Sequence, residues 1–93
     1  MTATIACTRA PITELHERFQ YVLPAVQAEG HTVFSSMRSA EDREDAVAEA
    51  TLTAWKKFLR AVTESVAVDP ADLARRAVAS VARRLHRQSL LPA

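Results

Sequence analysis

The sequence predicts an all-α fold, a compact bundle of three to four helices, and three observations carry this prediction. The 93-residue chain contains one glycine and four prolines, whereas β-hairpins need turn residues at positive φ. Alanine, the strongest helix former, occurs 18 times. Apolar residues recur at helical spacing along most of the chain. The length admits one domain, which we expect over residues 11–91.

The region before this domain, residues 1–10, is small and polar and is predicted to be a flexible tail without the apolar core of a signal peptide. Two short helices are predicted next, over 12–22 and 24–37. Pro24 lacks an amide hydrogen and Gly30 is a weak helix former, so one straight helix is not expected. The apolar positions of this stretch are Leu15, Phe19, Tyr21, Val22, Val26, Val33, Phe34 and Met37.

The next helix is predicted to begin at Ser39, whose hydroxyl can cap the first amides while Asp42 takes the reciprocal place of a capping box. It continues without glycine or proline to Val62. Acids crowd its first turns and bases its last, as the helix dipole favours. We expect Trp55 and Phe58 to be core residues, because a small domain needs its large rings inside. One apolar line comprises Val47, Thr51, Ala54, Phe58 and Val62, with Leu52, Trp55 and Leu59 beside it.

The last helix has a clear start, with Asp69 as N-cap, proline at the first helical position and Asp72 at the third. It is predicted to fray near Gln88 and to stop before Pro92. Its apolar face comprises Leu73, Ala77, Val78, Val81, Ala82 and Leu85. Another face carries Arg76, Ser80, Arg83 and Arg87, flanked by Arg75 and Arg84.

Charge is distributed unevenly, although the formal net charge is only +1. Residues 1–50 hold four arginines against eight acids, a net charge of −4, and residues 51–93 hold eight bases against three acids, a net charge of +5. Five arginines and no acid follow Asp72. Such a run favours an anionic partner such as nucleic acid, or it is a solvated helix face.

Several classes of protein are not expected from this sequence. No apolar run is long enough to span a membrane, and the single cysteine, Cys7, cannot form an internal disulfide. The histidines lack the spacing of a helical zinc site, and the acids of 42–49 stand where helix-start acids belong. We therefore expect a cytoplasmic non-enzyme with no catalytic residue, metal, cofactor or small-molecule substrate.

The segment DREDAVAEATLTAW, residues 42–55, resembles the core-binding segment of the bacterial sigma-70 family, particularly the small extracytoplasmic-function sigma factors. Upstream, FQYVLPAVQAEGHTVFSSM is similar to the first helices of that family, and downstream LARRAVASVARRLHR is similar to its basic third helix. The resemblance covers roughly residues 14–88. The positions that match the central motif are Asp42, Glu44, Asp45, Val47, Glu49 and Trp55.

The resemblance implies a sigma region two, which docks on the β′ clamp helices of the RNA polymerase core and engages the −10 promoter element. The residues it implies for polymerase binding are Asp42, Arg43, Asp45 and Glu49. Those it implies for DNA binding are Arg76, Arg83, Arg84 and Arg87. Two positions depart from the family pattern, since Ala48 replaces a glutamine and Thr51 an aromatic residue. No aromatic residue follows Phe58, so we expect no stacking platform for unpaired bases on the last helix.

The predicted function is therefore a non-catalytic, transcription-associated protein that binds RNA polymerase core and, through the arginines, promoter DNA. Two alternatives use the same fold. One is a helical protein–protein interaction module, self-association included, with no promoter role. The other is a nonspecific nucleic-acid binder that uses phosphate contacts alone, and its binding would depend steeply on salt.

Overall fold

Four helices follow one another in the part of the chain that the computed structural model describes, residues 11–89 and Leu91. The predicted tail over residues 1–10 lies outside the described residues. The all-α prediction is confirmed, with four helices forming a compact bundle. The helices are α1 (Ile12–Phe19), α2 (Leu23–Val33), α3 (Ala40–Glu64) and α4 (Pro70–Arg87).

The predicted boundary between the first two helices was wrong by a few residues. The α1 helix ends at Phe19, because the amides of Tyr21 and Val22 donate to carbonyls three residues back instead of four, which tightens the chain into a turn. The α2 helix begins at Leu23, one residue before Pro24. Proline is tolerated in this first turn, where its missing amide hydrogen would have no acceptor within the helix.

The predicted end of the second helix, residue 37, was also too late. The amide of Phe34 still donates to the Gly30 carbonyl at 2.9 Å, but this residue already has a non-helical ψ of 7°. The hydroxyl of Ser35 donates to the carbonyl of Thr32 at 2.8 Å. Serine side chains that bond to nearby backbone in this way compete with helical hydrogen bonds and favour helix ends.

The predicted starts of α3 and α4 are confirmed by their capping contacts. The Ser39 hydroxyl accepts from the Asp42 amide at 3.3 Å, and the Asp69 carboxylate accepts from the Ala71 amide at 3.2 Å. The α3 helix extends two residues beyond the predicted Val62. It ends where Ser65 takes a left-handed conformation, with φ 55°, a common way to terminate a helix.

The core lies where α2, α3 and α4 pack against one another, with α1 closing one side through Leu15 and Phe19. Close approach depends on small residues: a Cβ atom added at Gly30 of α2 would lie 3.0 Å from Val47 Cγ2 of α3. On α3, three small residues spaced one turn apart are also buried in the core, namely Ala46, Ala50 and Ala54. The buried residues of α3 are Ala46, Ala50, Ala54, Phe58, Ala61 and Val62.

The two large rings of α3 differ in burial. Phe58 is fully buried, as predicted. Trp55 is only half-buried and packs against the edge of the core, where its ring lies 5.1 Å from Phe19 and 5.0 Å from His16 between centroids. Two other apolar positions, Tyr21 and Leu52, face solvent. None of the described helices combines the length and apolar character needed to cross a membrane.

Candidate partner-binding surfaces

The first two turns of α3 present an exposed acidic surface. Asp42 and Asp45 are both exposed, and neither carboxylate forms an ion pair with another residue in the described part of the chain. At about 100° per residue, Asp42, Asp45 and Glu49 fall within an arc of roughly 60° on the helix. The structure therefore brings together the three acids that the sequence predicted for partner binding. We call Asp42 and Asp45 the acidic face.

The predicted Arg43 does not belong to the acidic face. Its side chain is half-buried, and its guanidinium donates a hydrogen bond to the main-chain carbonyl of Met37. This bond ties the segment between α2 and α3 to the start of α3. Arg43 thus has a clear structural contact, which sequence spacing alone did not indicate.

Glu49 and Arg84 form an ion pair that joins α3 to α4. The sequence placed these two residues on different surfaces, one for polymerase and one for DNA. Both side chains are partly exposed, at 46% for Glu49 and 42% for Arg84. The Arg84 Nε atom is buried without a hydrogen-bond partner among the described residues. The recorded contact between the guanidinium and α3 is therefore made by the terminal Nη2 atom.

The start of the arginine run is also paired. Arg76 Nε lies 3.6 Å from one carboxylate oxygen of Asp72, and Arg75 Nη2 lies 3.6 Å from the other. These pairs lie within one helix at spacings of four and three residues, and all three side chains are at least half exposed. Exposed pairs of this kind contribute roughly 0.2–1 kcal/mol. The spacing of these pairs is visible in the sequence, but there Asp72 was interpreted only as a residue of the helix start.

Arg83 and Arg87 are the two predicted DNA-binding residues that remain exposed without an ion pair in the region the structure describes. Arg87 lines a shallow groove between α3 and α4 together with Arg84 and Lys56. Two hydroxyl residues of the same groove, Thr53 and Ser80, add hydrogen-bonding groups. Sequence reasoning missed Lys56 as a member of this basic groove, because nothing local indicates that it faces the end of α4.

Among residues 11–89 and Leu91, no group of three or more His, Cys, Asp or Glu side chains is arranged to hold a metal ion. Two charged features stand out in the described part of the chain, the acidic face and the basic groove, and Glu49 and Arg84 of the ion pair both line that groove.

Comparisons with known proteins give no family assignment. No protein-family model matches the chain, and neither a curated protein nor a solved structure matches it significantly. The resemblance to sigma region two thus rests on the residues of the sequence themselves.

Proposed function

We propose that this is a non-catalytic, transcription-associated protein that binds RNA polymerase core through the acidic face of α3. The observation that carries the proposal is the exposure of Asp42 and Asp45 without ion pairs in the described residues. These acids occupy the segment that resembles the core-binding motif of sigma factors. The resemblance supplies the partner, the β′ clamp helices, and the structure supplies an accessible surface for it.

The acidic face lies on a rigid part of the fold. It lies on a 25-residue helix whose start is capped by Ser39, and Ala46 and Ala50 anchor the same turns in the core. Little conformational freedom remains to be lost by the backbone on binding. Two carboxylates on one rigid face favour a partner that presents lysine or arginine, with charge-assisted hydrogen bonds across the interface.

Any contact with DNA is proposed to be secondary and limited to phosphates. Arg83 and Arg87 are the candidates that form no ion pair among the described residues, whereas Arg76 and Arg84 already contact carboxylates. The absence of aromatic residues after Phe58 supports phosphate contacts over base stacking, because single-strand recognition commonly uses aromatic platforms.

The alternative function, a protein interaction module with no promoter role, is favoured by one observation. Leu52, on the outer side of α3, is 53% exposed although it is large and apolar. It lies beside half-buried Trp55 and Leu59 on the same helix, and an apolar patch of this kind is a feature that a protein partner would cover.

Capture of purified RNA polymerase core by the tagged protein tests the polymerase proposal. Wild type should retain the enzyme, and the double variant Asp42→Lys/Asp45→Lys should retain at least about tenfold less, which corresponds to about 1.4 kcal/mol. The matched control is Glu14→Lys/Glu17→Lys, since these exposed acids of α1 have the same three-residue spacing and produce the same change in net charge. Circular dichroism should show helix in all three proteins.

The outcomes separate the two functions. Equal capture by all three proteins would exclude the acidic face as the binding surface. Failure of wild type to capture the core enzyme would reject the transcription proposal and leave the interaction module. Loss of capture in both double variants would indicate an effect of net charge and not of a specific face.

A further inference from the structure

We infer that the outer side of α3 is a self-association surface on which a second copy of this chain binds antiparallel, with Leu52 at the two-fold axis. This inference does not rest on the polymerase proposal. It follows from an apolar stripe and from the order of charges along that stripe.

The apolar stripe consists of Ala48, Leu52, Trp55 and Leu59, spaced by four, seven and eleven residues from the first. This spacing places them on one side of a helix. Ala48 and Leu52 are exposed, and the other two pack only partly against the core. A small residue next to a large exposed one gives another helix room to approach, as in helix pairs that interdigitate their side chains.

The stripe is bounded on both sides by the bundle. The Trp55 ring contacts His16 of α1, and Leu52 lines the groove that includes Ser80 and Val81 of α4. A single added helix along α3 is the shape that this narrow surface fits.

The order of charges along α3 indicates that the added helix is α3 of a second copy. Asp45 lies seven residues before Leu52, and Lys56 and Arg60 lie four and eight residues after it. All three are exposed and lie within about 80° of Leu52 on the helix, on the side towards α4. At 1.5 Å per residue these positions are about 10 Å before the centre and about 6 and 12 Å after it. A two-fold axis at Leu52 places Asp45 of each copy between Lys56 and Arg60 of the other.

The orientation is fixed by the same charges. An antiparallel pair matches acids with bases and opposes the two helix dipoles, whereas a parallel pair would place acid against acid. Arg60 pairs with Glu64 within its own helix at 3.3 Å, but both side chains are more than half exposed, so this weak pair can be exchanged. Because the same surface is used by both copies, the assembly closes as a dimer.

Sedimentation equilibrium of the full chain tests the inference. One narrow helix face buries less than a standard interface, so association is weak and loading concentrations should span about 1 μM to about 1 mM. Wild type should rise from the 10.2 kDa monomer towards twice that mass and no further. Leu52→Arg should stay monomeric. Val66→Arg is the control, because Val66 is similarly exposed at 50% but lies outside the stripe.

Charge exchange tests the antiparallel register independently of any folding defect. Asp45→Lys alone and Lys56→Glu/Arg60→Glu alone should each be monomeric, because each creates like charges across the interface. An equimolar mixture of the two should recover dimers at least as well as wild type. A wild type that is monomeric throughout, a Leu52→Arg that dimerises like Val66→Arg, or a mixture that stays monomeric would overturn the inference.

Discussion

The acidic start of α3 and the arginine run of α4 look equivalent in the sequence but differ in the structure. Each places several like charges on one helix face. Asp42 and Asp45 remain exposed without ion pairs in the described chain, whereas Arg76 and Arg84 are each held by a carboxylate. The number of charges on a helix therefore does not give the number available to a partner. Ion pairs with neighbouring helices and neighbouring turns determine how many charges remain available.

Glu49 shows how the difference arises. It belongs to the acidic line by spacing, but its carboxylate pairs with Arg84 across the interface of α3 and α4. One ion pair thus removes one residue from each predicted surface. It also means that reversing Glu49 would test two surfaces at once, which is why Asp42 and Asp45 are the better pair to change.

The largest expected effect comes from truncating one side chain of the core on which both regions pack. Phe58→Ala should lower the free energy of unfolding by about 3–5 kcal/mol, since this fully buried ring contacts Phe19 and Trp55. Trp55→Ala should destabilise less, because Trp55 is only half-buried. Urea denaturation of both variants measures this difference. A larger loss for Trp55→Ala would contradict the burial of the two rings.

The next effect separates arginines without an ion pair in the described residues from paired ones. Arg83→Gln/Arg87→Gln should reduce the salt dependence of any duplex DNA binding by up to about 0.9 for each phosphate that is no longer neutralised. Arg76→Gln/Arg84→Gln removes the same charge but should reduce it less, because both residues contact carboxylates. Fluorescence anisotropy at several salt concentrations gives the slopes. Equal slopes would show that the ion pairs do not restrict these arginines, and no binding by wild type at low salt would exclude DNA as a partner.

A smaller effect should follow release of Arg84 alone. Glu49→Gln removes its ion-pair partner and should raise the salt dependence of DNA binding by no more than about 0.9. Stability should change by less than about 1 kcal/mol, since both side chains are more than a third exposed. Glu44→Gln is the matched control on the same helix, where the described residues form no ion pair with Glu44. An equal salt dependence of DNA binding in the two variants would mean that the ion pair does not keep Arg84 from contacting DNA.

The smallest expected effect is none at all. The isolated protein should bind a −10-like single strand no better than a scrambled strand, because α4 carries no aromatic residue on which bases could stack. The same anisotropy assay compares the two strands. A clear preference for the −10-like strand would show that the protein reads sequence through some other surface.

Local signals explain what could be predicted from the sequence. The caps at Ser39 and Asp69 located the starts of α3 and α4, because a helix start depends on contacts within three residues. The end of α2 depends equally on nearby residues, but the Ser35 hydroxyl bond that accompanies it has no distinct sequence signature. Local spacing also placed Asp42 and Asp45 on one exposed face of α3, but it did not indicate the contacts of Arg43 and Glu49.

Contacts between helices explain what could not be predicted. Glu49 and Arg84 are 35 positions apart, and spacing within each helix does not tell which polar lines face each other. The same limit hid the place of Lys56 beside Arg87. It also applies to Trp55, because the contacts of its ring with His16 and Phe19 of α1 are not indicated by spacing within α3.

The most direct test of the central claim is an NMR titration of this small protein with a fragment containing the RNA polymerase clamp helices. We predict that backbone amide shifts change mainly over residues 40–49, and that amides of α1 change little. Changes confined to α4, or no change at any amide at saturating fragment concentration, would contradict the proposal that the acidic face of α3 is the polymerase-binding surface.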